Sequence, residues 1–133
     1  MTPVFLDTVG LLALWDEADQ WHADAIRAQQ ALEAIGAQLF TSNYILLECG
    51  NAAARKPFRN QVDDLRLAMA AVGQLIAPTE DDWHEAWRAF RDNRHAGAGI
   101  VDHFSFCAMR RLNIQKAFTN DRHFEAAGFE ILF

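Results

Sequence analysis

The sequence predicts an α/β fold in which a mostly parallel sheet of about four to five short strands is covered by helices on both faces. Short apolar runs alternate along the chain with longer segments in which apolar residues recur at helical spacing. Because a helix then connects each strand to the next, neighbouring strands run parallel. At 133 residues, the whole chain, residues 1–133, is expected to form one domain.

The first strand and helix are separated by a short turn. Residues 4–6 form an apolar run that tolerates Pro3 at its start, and a helical pattern follows over residues 11–15. A second helix is predicted over residues 21–35, because the glycine after it favours a helix C-terminus. An apolar pair at residues 39–40 then predicts the second strand.

The middle of the chain predicts two further helices and a third strand. Ser42 or Asn43 can cap a helix that should stop before Pro57, since the residue preceding a proline resists the α conformation. Apolar residues at helical spacing over 62–72 predict a long amphipathic helix. The run at residues 75–77 is short and apolar, as in a buried strand.

The last third of the chain repeats the strand-to-helix alternation. A capping-box pattern precedes a helix predicted over residues 80–93, and a flexible, glycine-rich loop at 94–99 leads to the next helix, which ends near Arg111. A strand at 117–118 turns into a short helix, and a terminal strand is predicted over 130–133.

Composition narrows the class of protein. A hydrophobic fraction of 51% and a mean hydropathy of -0.10 describe a globular protein rather than a disordered chain. The N-terminal segment lacks a basic leader, and the apolar run at 9–15 is too short to span a bilayer, so we expect a cytoplasmic protein without membrane segments. Cys49 and Cys107 lie in apolar surroundings and are expected to be reduced core thiols.

Four acidic residues are the candidate functional groups. Asp7 and Asp121 follow predicted strands, and Asp102 follows Ile100 and Val101 at a helix start, so all three are expected at one edge of the sheet. Glu48 lies among apolar neighbours, where a charge needs a counter-ion. Taken alone, each aspartate is better explained as a helix cap, and Glu48 is also explained as part of a solvated helix face.

Together the four acids favour a metal site. Clustered carboxylates repel one another unless a hard cation such as Mg²⁺ or Mn²⁺ lies between them. A bound divalent cation lowers the pKa of its water and offsets charge on a phosphodiester, so hydrolysis is the expected reaction. The net charge of -6 argues against nucleic-acid binding through a generally basic surface.

The ordered segments around these acids resemble a PIN domain. They are Phe5-Leu6-Asp7-Thr8, Leu47-Glu48, Val101-Asp102 and Phe118-Thr119-Asn120-Asp121-Arg122-His123-Phe124. The resemblance covers essentially the whole chain. The length of the chain makes it most similar to the VapC-type toxins of toxin–antitoxin pairs. Val9 and His123 depart from the family pattern, because many members carry a polar residue at the first position and some carry a further acid at the second.

The resemblance implies a function and partners. Asp7, Glu48, Asp102 and Asp121 would be catalytic and metal-binding, Thr8 and Thr119 would support them, and Mg²⁺ or Mn²⁺ would be the cofactor. The substrate would be RNA, and a short antitoxin would cover an apolar groove and insert a basic side chain among the carboxylates. A homodimer is also expected, because the amphipathic helices at 21–35 and 62–75 offer apolar surface.

Other residues give weaker indications. The histidines, which show no metal-ligand spacing, are His22, His84, His95, His103 and His123. Arg55, Lys56 and Arg59 either grip phosphates or form a solvated face. An aromatic stripe on the helix at 80–93, comprising Trp83, Trp87 and Phe90, could stack bases, but its spacing favours a place in the core.

Two alternative functions are open from the sequence. The first is a PIN-like interaction module without catalytic activity, which the intact Asp and Glu identities disfavour. The second is a phosphatase resembling the haloacid dehalogenase family, with Asp7 as nucleophile. That mechanism needs a second Asp two residues later, where this chain has Val9.

Overall fold

The computed structural model describes all residues from 1 to 133. Its elements, in chain order, are β1 (Pro3–Leu6), α1 (Thr8–Trp15), α2 (His22–Ala34), β2 (Gln38–Ser42), α3 (Asn43–Ala53), α4 (Arg59–Ala71), β3 (Leu75–Ile76), α5 (Glu80–Arg91), α6 (Ile100–Arg111), β4 (Lys116–Phe118), α7 (Arg122–Ala126) and β5 (Glu130–Ile131). The alternation of strands and helices predicted from the sequence is confirmed. None of the helices is both long and apolar enough to cross a membrane.

The five strands form one sheet in the order β3-β2-β1-β4-β5, and every neighbouring pair is parallel. The chain builds the sheet outward from β1 to β3, and then returns to the other side of β1 with β4 and β5. Because parallel crossovers are right-handed, the reversal places α1 to α4 on one face and α5 to α7 on the other. The predicted parallel sheet with two covered faces is therefore confirmed.

The core lies between the sheet and these two helical layers. Val4 and Phe5 of β1 and Ala117 of β4 have no solvent exposure, as expected for central parallel strands. Phe106 of α6 packs edge-on against Phe124 of α7, with ring centroids 4.9 Å apart, and closes the α5 to α7 face. The carboxyl ends of β1 and β4 consequently lie between two well-packed layers.

Sequence-predicted helix boundaries agree closely with the structure where caps are strong. The Ser42 hydroxyl accepts a hydrogen bond from the Ile45 amide and begins α3. Thr79 and Asp82 form the predicted capping box at the start of α5. The terminal strand is shorter than predicted and ends at Ile131: only Glu130 and Ile131 are in register with β4, and the Leu132 amide makes the last hydrogen bond, to the Ala117 carbonyl.

Two expectations about burial are wrong. The aromatic stripe of α5, Trp83, Trp87 and Phe90, is about half exposed rather than in the core. The inward face of α5 instead carries Ala86 and Ala89, whose small side chains let the helix lie close to α6. Cys49 is a buried free thiol as expected, whereas Cys107 is only partly buried.

Candidate active site

The candidate site lies at the carboxyl edge of the sheet, where the strand order reverses. Asp7 follows β1 directly, and Asp121 follows the turn that leaves the adjacent strand β4. The Asp7 amide donates a hydrogen bond to the Phe118 carbonyl at 3.4 Å, which joins the two strand ends. Crevices at such reversal points are the usual ligand sites of open parallel sheets.

Gly10 allows α1 to approach this edge closely. A Cβ atom at Gly10 would lie 2.0 Å from the carbonyl oxygen of Phe118 and 2.6 Å from its ring. Only glycine fits this helix-to-strand contact without moving the backbone of β4. The contact fixes the start of α1, and therefore Asp7 and Thr8, relative to the end of β4.

A hydroxyl group connects Asp7 with Asp121. Thr119 is fully buried, and its Oγ1 donates a hydrogen bond to Asp7 Oδ2 at 2.8 Å. The same oxygen accepts a hydrogen bond from the Asp121 amide at 3.0 Å. Thr119 therefore orients both the buried carboxylate and the backbone that carries the second one.

Thr8 connects Glu48 to this group. Its Oγ1 donates a hydrogen bond to Glu48 Oε1 at 2.6 Å, across 40 positions of sequence. Glu48 lies in the middle of α3, the helix that Ser42 caps at the end of β2. Because α3 begins at the carboxyl end of β2, at the same edge of the sheet, it places Glu48 at the candidate site.

Asp102, Asp121 and His123 form the closest ligand-like cluster. One donor atom from each of the three lies within 4.8 Å of the others. His123 Nδ1 is 2.8 Å from Asp121 Oδ1, which also accepts the His123 backbone N–H at 2.9 Å. Asp102 is placed by α6, and its Oδ2 accepts a 3.3 Å hydrogen bond from the Gly99 amide.

Burial and like charge make the aspartates unusual acids. The pKa of Asp7 is raised to about 7, chiefly by burial and then by the negative charges of Asp102 and Asp121, while the hydrogen bond from Thr119 opposes this rise. The pKa of Asp102 is raised to about 6, first by burial and then by Asp121. No lysine, arginine or histidine forms an ion pair with Asp7, Glu48 or Asp102.

This donor set fits a hard divalent cation. The carboxylates supply oxygen ligands, which Mg²⁺ and Mn²⁺ prefer, and they lack a compensating positive side chain. A reactive thiol offers no alternative, because burial, followed by the charge of Asp7, raises the pKa of Cys49 to about 12. The arrangement is suited to cation binding rather than to covalent catalysis.

The structure brings all four predicted acids to one region, with one difference from the sequence interpretation. Asp102 lies at the start of a helix, as predicted, and is the third residue of α6. The sequence showed no metal-ligand spacing for His123. In the structure, the first turn of α7 directs its side chain toward the carboxylate of Asp121. The Asp-x-His spacing at a helix cap was the available indication.

Fold and site together define a class: parallel α/β proteins that gather carboxylates where the strand order reverses. A sequence model of the PIN domain matches residues 4–130, and the chain belongs to the PIN-domain family. It is 29% identical over 127 residues to the 23S rRNA-specific endonuclease VapC20 of two Mycobacterium tuberculosis strains, CDC 1551 / Oshkosh and ATCC 25618 / H37Rv, covering 95% of each chain.

A solved structure agrees with that assignment. The crystal structure of M. tuberculosis VapC20, a toxin that cleaves the sarcin–ricin loop, matches with a TM-score of 0.74 and 28% identity, covering 95% of both chains. The resemblance to VapC-type PIN ribonucleases predicted from the sequence is confirmed.

Proposed function

We propose that this chain is a divalent-metal-dependent endoribonuclease and the toxin of a toxin–antitoxin pair. The observation that carries the proposal is the surroundings of Asp7: a carboxylate 2% exposed, close to two further aspartates and without a basic partner. Retaining such a group costs stability unless a cation binds there. An inactive interaction module would gain nothing from a buried, unpaired carboxylate that lowers the stability of the fold.

The four acids would act together on one cation. Asp7, Glu48, Asp102 and Asp121 are the proposed ligands, with Mg²⁺ or Mn²⁺ as the ion. When bound, the cation would supply an acidified water and offset negative charge on the scissile phosphodiester. Thr119 would hold Asp7, and Thr8 would hold Glu48, in the ligand orientation. His123 offers a nitrogen donor beside Asp121.

RNA is the proposed substrate. The curated relatives are named for action on 23S rRNA, and this chain covers nearly all of their length. Arg122 is exposed directly beside Asp121 and has no ion-pair partner, so it could meet a phosphate next to the reacting one. Contacts from Arg55, Lys56 and Arg59 stay a prediction, and all three residues are exposed.

A short antitoxin is the proposed partner. An apolar groove of about 420 Å³ lies between α1, α2 and α4, and its lining includes Leu11, Leu14, Trp15, Leu32, Leu65 and Ala68. An amphipathic helix laid into this groove would bury its apolar face. The basic side chain expected from the family resemblance would then pair with the carboxylates in place of the cation. In this proposal the antitoxin, and not a second copy of this chain, covers the apolar residues of α2 and α4.

Cleavage of RNA by purified protein tests the proposal. EDTA should abolish cleavage, and added Mg²⁺ or Mn²⁺ should restore it. Asp7→Asn should be inactive, whereas Asp81→Asn, an exposed aspartate of α5, should match the wild type. Full activity after careful removal of metal would contradict the mechanism. Retained activity in Asp7→Asn would show that the site is assigned to the wrong residues.

A further inference from the structure

His123 brings a nitrogen donor into the candidate active site, where the other candidate ligands are carboxylates. Its Nδ1 atom lies 2.8 Å from Asp121 Oδ1, and one donor atom from each of Asp102, Asp121 and His123 lies within 4.8 Å of the others. Around an ion with bonds of about 2.1 Å, adjacent octahedral ligands are about 3.0 Å apart and opposite ligands about 4.2 Å. The three donors therefore need only small side-chain movements to share one ion.

The other histidines do not meet the site. They are His22, His84, His95 and His103, and none of them has a ring nitrogen within ion-pair distance of the four acids. His22 Nδ1 lies 2.8 Å from the Ala13 carbonyl oxygen, and His84 lies beside the exposed Glu80 of α5. A histidine ligand for the proposed cation can therefore come only from His123.

The His123 ring is placed beside the acids but is not enclosed. Its side chain is 39% exposed. A Cβ atom added at Gly97 would be 3.7 Å from His123 Nε2, an ordinary contact distance, and as a glycine this neighbour has no side chain to cover the ring. The imidazole consequently has room to turn toward an ion held by the carboxylates.

Asp121 does not need the His123 ring to hold it in place. Its Oδ1 atom accepts the backbone N–H of His123 at 2.9 Å, which makes Asp121 the cap of α7. Its own amide donates to Thr119 Oγ1 at 3.0 Å. Because the carboxylate is already oriented by these backbone contacts, a purely positioning role for the imidazole would be redundant.

We propose that His123 is a direct nitrogen ligand of the cation held by Asp102 and Asp121, and that it shifts the preference of the site from Mg²⁺ toward transition-metal ions. This inference rests on the proposed function, in which the acids hold a divalent cation. Mg²⁺ is bound through oxygen, whereas imidazole suits first-row transition metals, among which Zn²⁺ binds more tightly than Mn²⁺. Replacing His123 should therefore affect Zn²⁺ far more than Mg²⁺.

Electron spin-echo spectroscopy of the Mn²⁺-loaded protein tests the ligand directly. The wild type should show magnetic coupling between the ion and an imidazole nitrogen. His123→Ala should lose this coupling, and the matched control His84→Ala, which changes an exposed histidine of α5, should keep it. Circular dichroism should show both variants folded. A wild type without nitrogen coupling, or coupling that persists in His123→Ala, would overturn the proposal.

Calorimetric titration of EDTA-treated protein with Zn²⁺ and with Mg²⁺ tests the preference. His123→Ala should weaken Zn²⁺ binding by about tenfold or more and Mg²⁺ binding by about twofold or less. His123→Asp replaces the nitrogen donor with a carboxylate, so it should bind Mg²⁺ more tightly than the wild type does. His84→Ala should match the wild type for both ions.

The same titrations separate this proposal from the nuclease proposal. If His123 only positioned Asp121, His123→Ala would weaken Zn²⁺ and Mg²⁺ binding by the same factor. That result would overturn the nitrogen ligand and leave the carboxylate metal site standing. A wild type that binds neither ion would contradict the metal site itself, and with it both proposals.

Discussion

Asp7 and Asp82 are the two buried aspartates of the chain, 2% and 6% exposed, and their surroundings are opposite. Asp82 accepts hydrogen bonds from the Thr79 amide and from two guanidinium nitrogens of Arg111, at 3.0 to 3.1 Å. Asp7 accepts a single side-chain hydrogen bond, from Thr119, and lies near other negative charges. A buried acid whose charge is satisfied within the chain stabilises the fold, whereas one left unsatisfied is prepared for a ligand.

The largest effect should come from neutralising Asp7. Asp7→Asn should lower RNA cleavage by about a thousandfold or more, equivalent to about 4 kcal/mol, because the most buried ligand loses its charge. The same change should raise the melting temperature of metal-free protein by removing carboxylate repulsion. Cleavage rates and differential scanning fluorimetry in EDTA would check both effects. A variant that is unfolded would instead indicate that Asp7 is a structural cap.

Removing the carboxylate of Asp82 should have the reverse outcome. Asp82→Ala leaves Arg111 without its partner and opens the capping box of α5, which should cost about 2 kcal/mol of unfolding free energy. Cleavage per folded molecule should be unchanged, since Asp82 lies outside the candidate site. Urea unfolding measures the first quantity and RNA cleavage the second. If Asp82→Ala were stable but did not cleave RNA, Asp82 would also be needed for activity, and the proposed contrast with Asp7 would be wrong.

The sequence allowed prediction of the fold because strong local patterns agreed with the global one. Apolar runs, the capping box at Thr79 and the cap at Ser42 each specified a boundary that the structure retains. It could not predict that Trp83 and Trp87 stay exposed, because helical periodicity does not reveal which face of a helix meets the sheet. In the structure, the alanines on the opposite face of α5 are buried, so the tryptophans face outward.

The candidate site was predictable as a set of acids but not as a geometry. Asp7 and Asp121 could be placed together because each follows a strand. The Thr8 hydrogen bond to Glu48 and the close contact of Gly10 with Phe118 join residues far apart in sequence, so no local pattern records them. The position of His123 beside Asp121 depends on how the first turn of α7 begins.

The pH dependence of stability should also distinguish the two regions. The pKa of Asp7 is raised from 3.8 to about 7 in the folded chain, and that of Asp102 to about 6. The folded state therefore binds more protons than the unfolded state between about pH 4 and 7, so stability is greatest at the acidic end and falls as the pH rises through these values.

Between pH 5.5 and 7, metal-free wild type should lose about 1.5 kcal/mol of unfolding free energy through Asp7. Asp7→Asn should flatten this decline, whereas Asp82→Asn should leave it in place. Urea titrations in EDTA at several pH values would measure it. A wild type whose stability rises over this interval would contradict the raised pKa of Asp7.

The smallest effect should come from the hydroxyl that supports Asp7. Thr119→Val keeps the shape of a fully buried side chain but removes the hydrogen bond to Asp7 Oδ2 and the acceptor for the Asp121 amide. Losing the bond to Asp7 Oδ2 costs about 1 kcal/mol, which corresponds to roughly fivefold weaker Mg²⁺ binding because that bond orients the ligand.

Thr41→Val is the matched control for Thr119→Val. Thr41 is also fully buried, and its hydroxyl donates a 2.9 Å hydrogen bond to the Leu6 carbonyl, so the substitution removes a comparable bond without touching a carboxylate. Thr119→Val, which removes two hydrogen bonds, should lose at least as much stability in EDTA as Thr41→Val, which removes one, but only Thr119→Val should need more Mg²⁺ for half-maximal cleavage. Equal Mg²⁺ requirements would mean that Thr119 supports the fold alone, and that Asp7 is held in the ligand orientation by the backbone contact between β1 and β4.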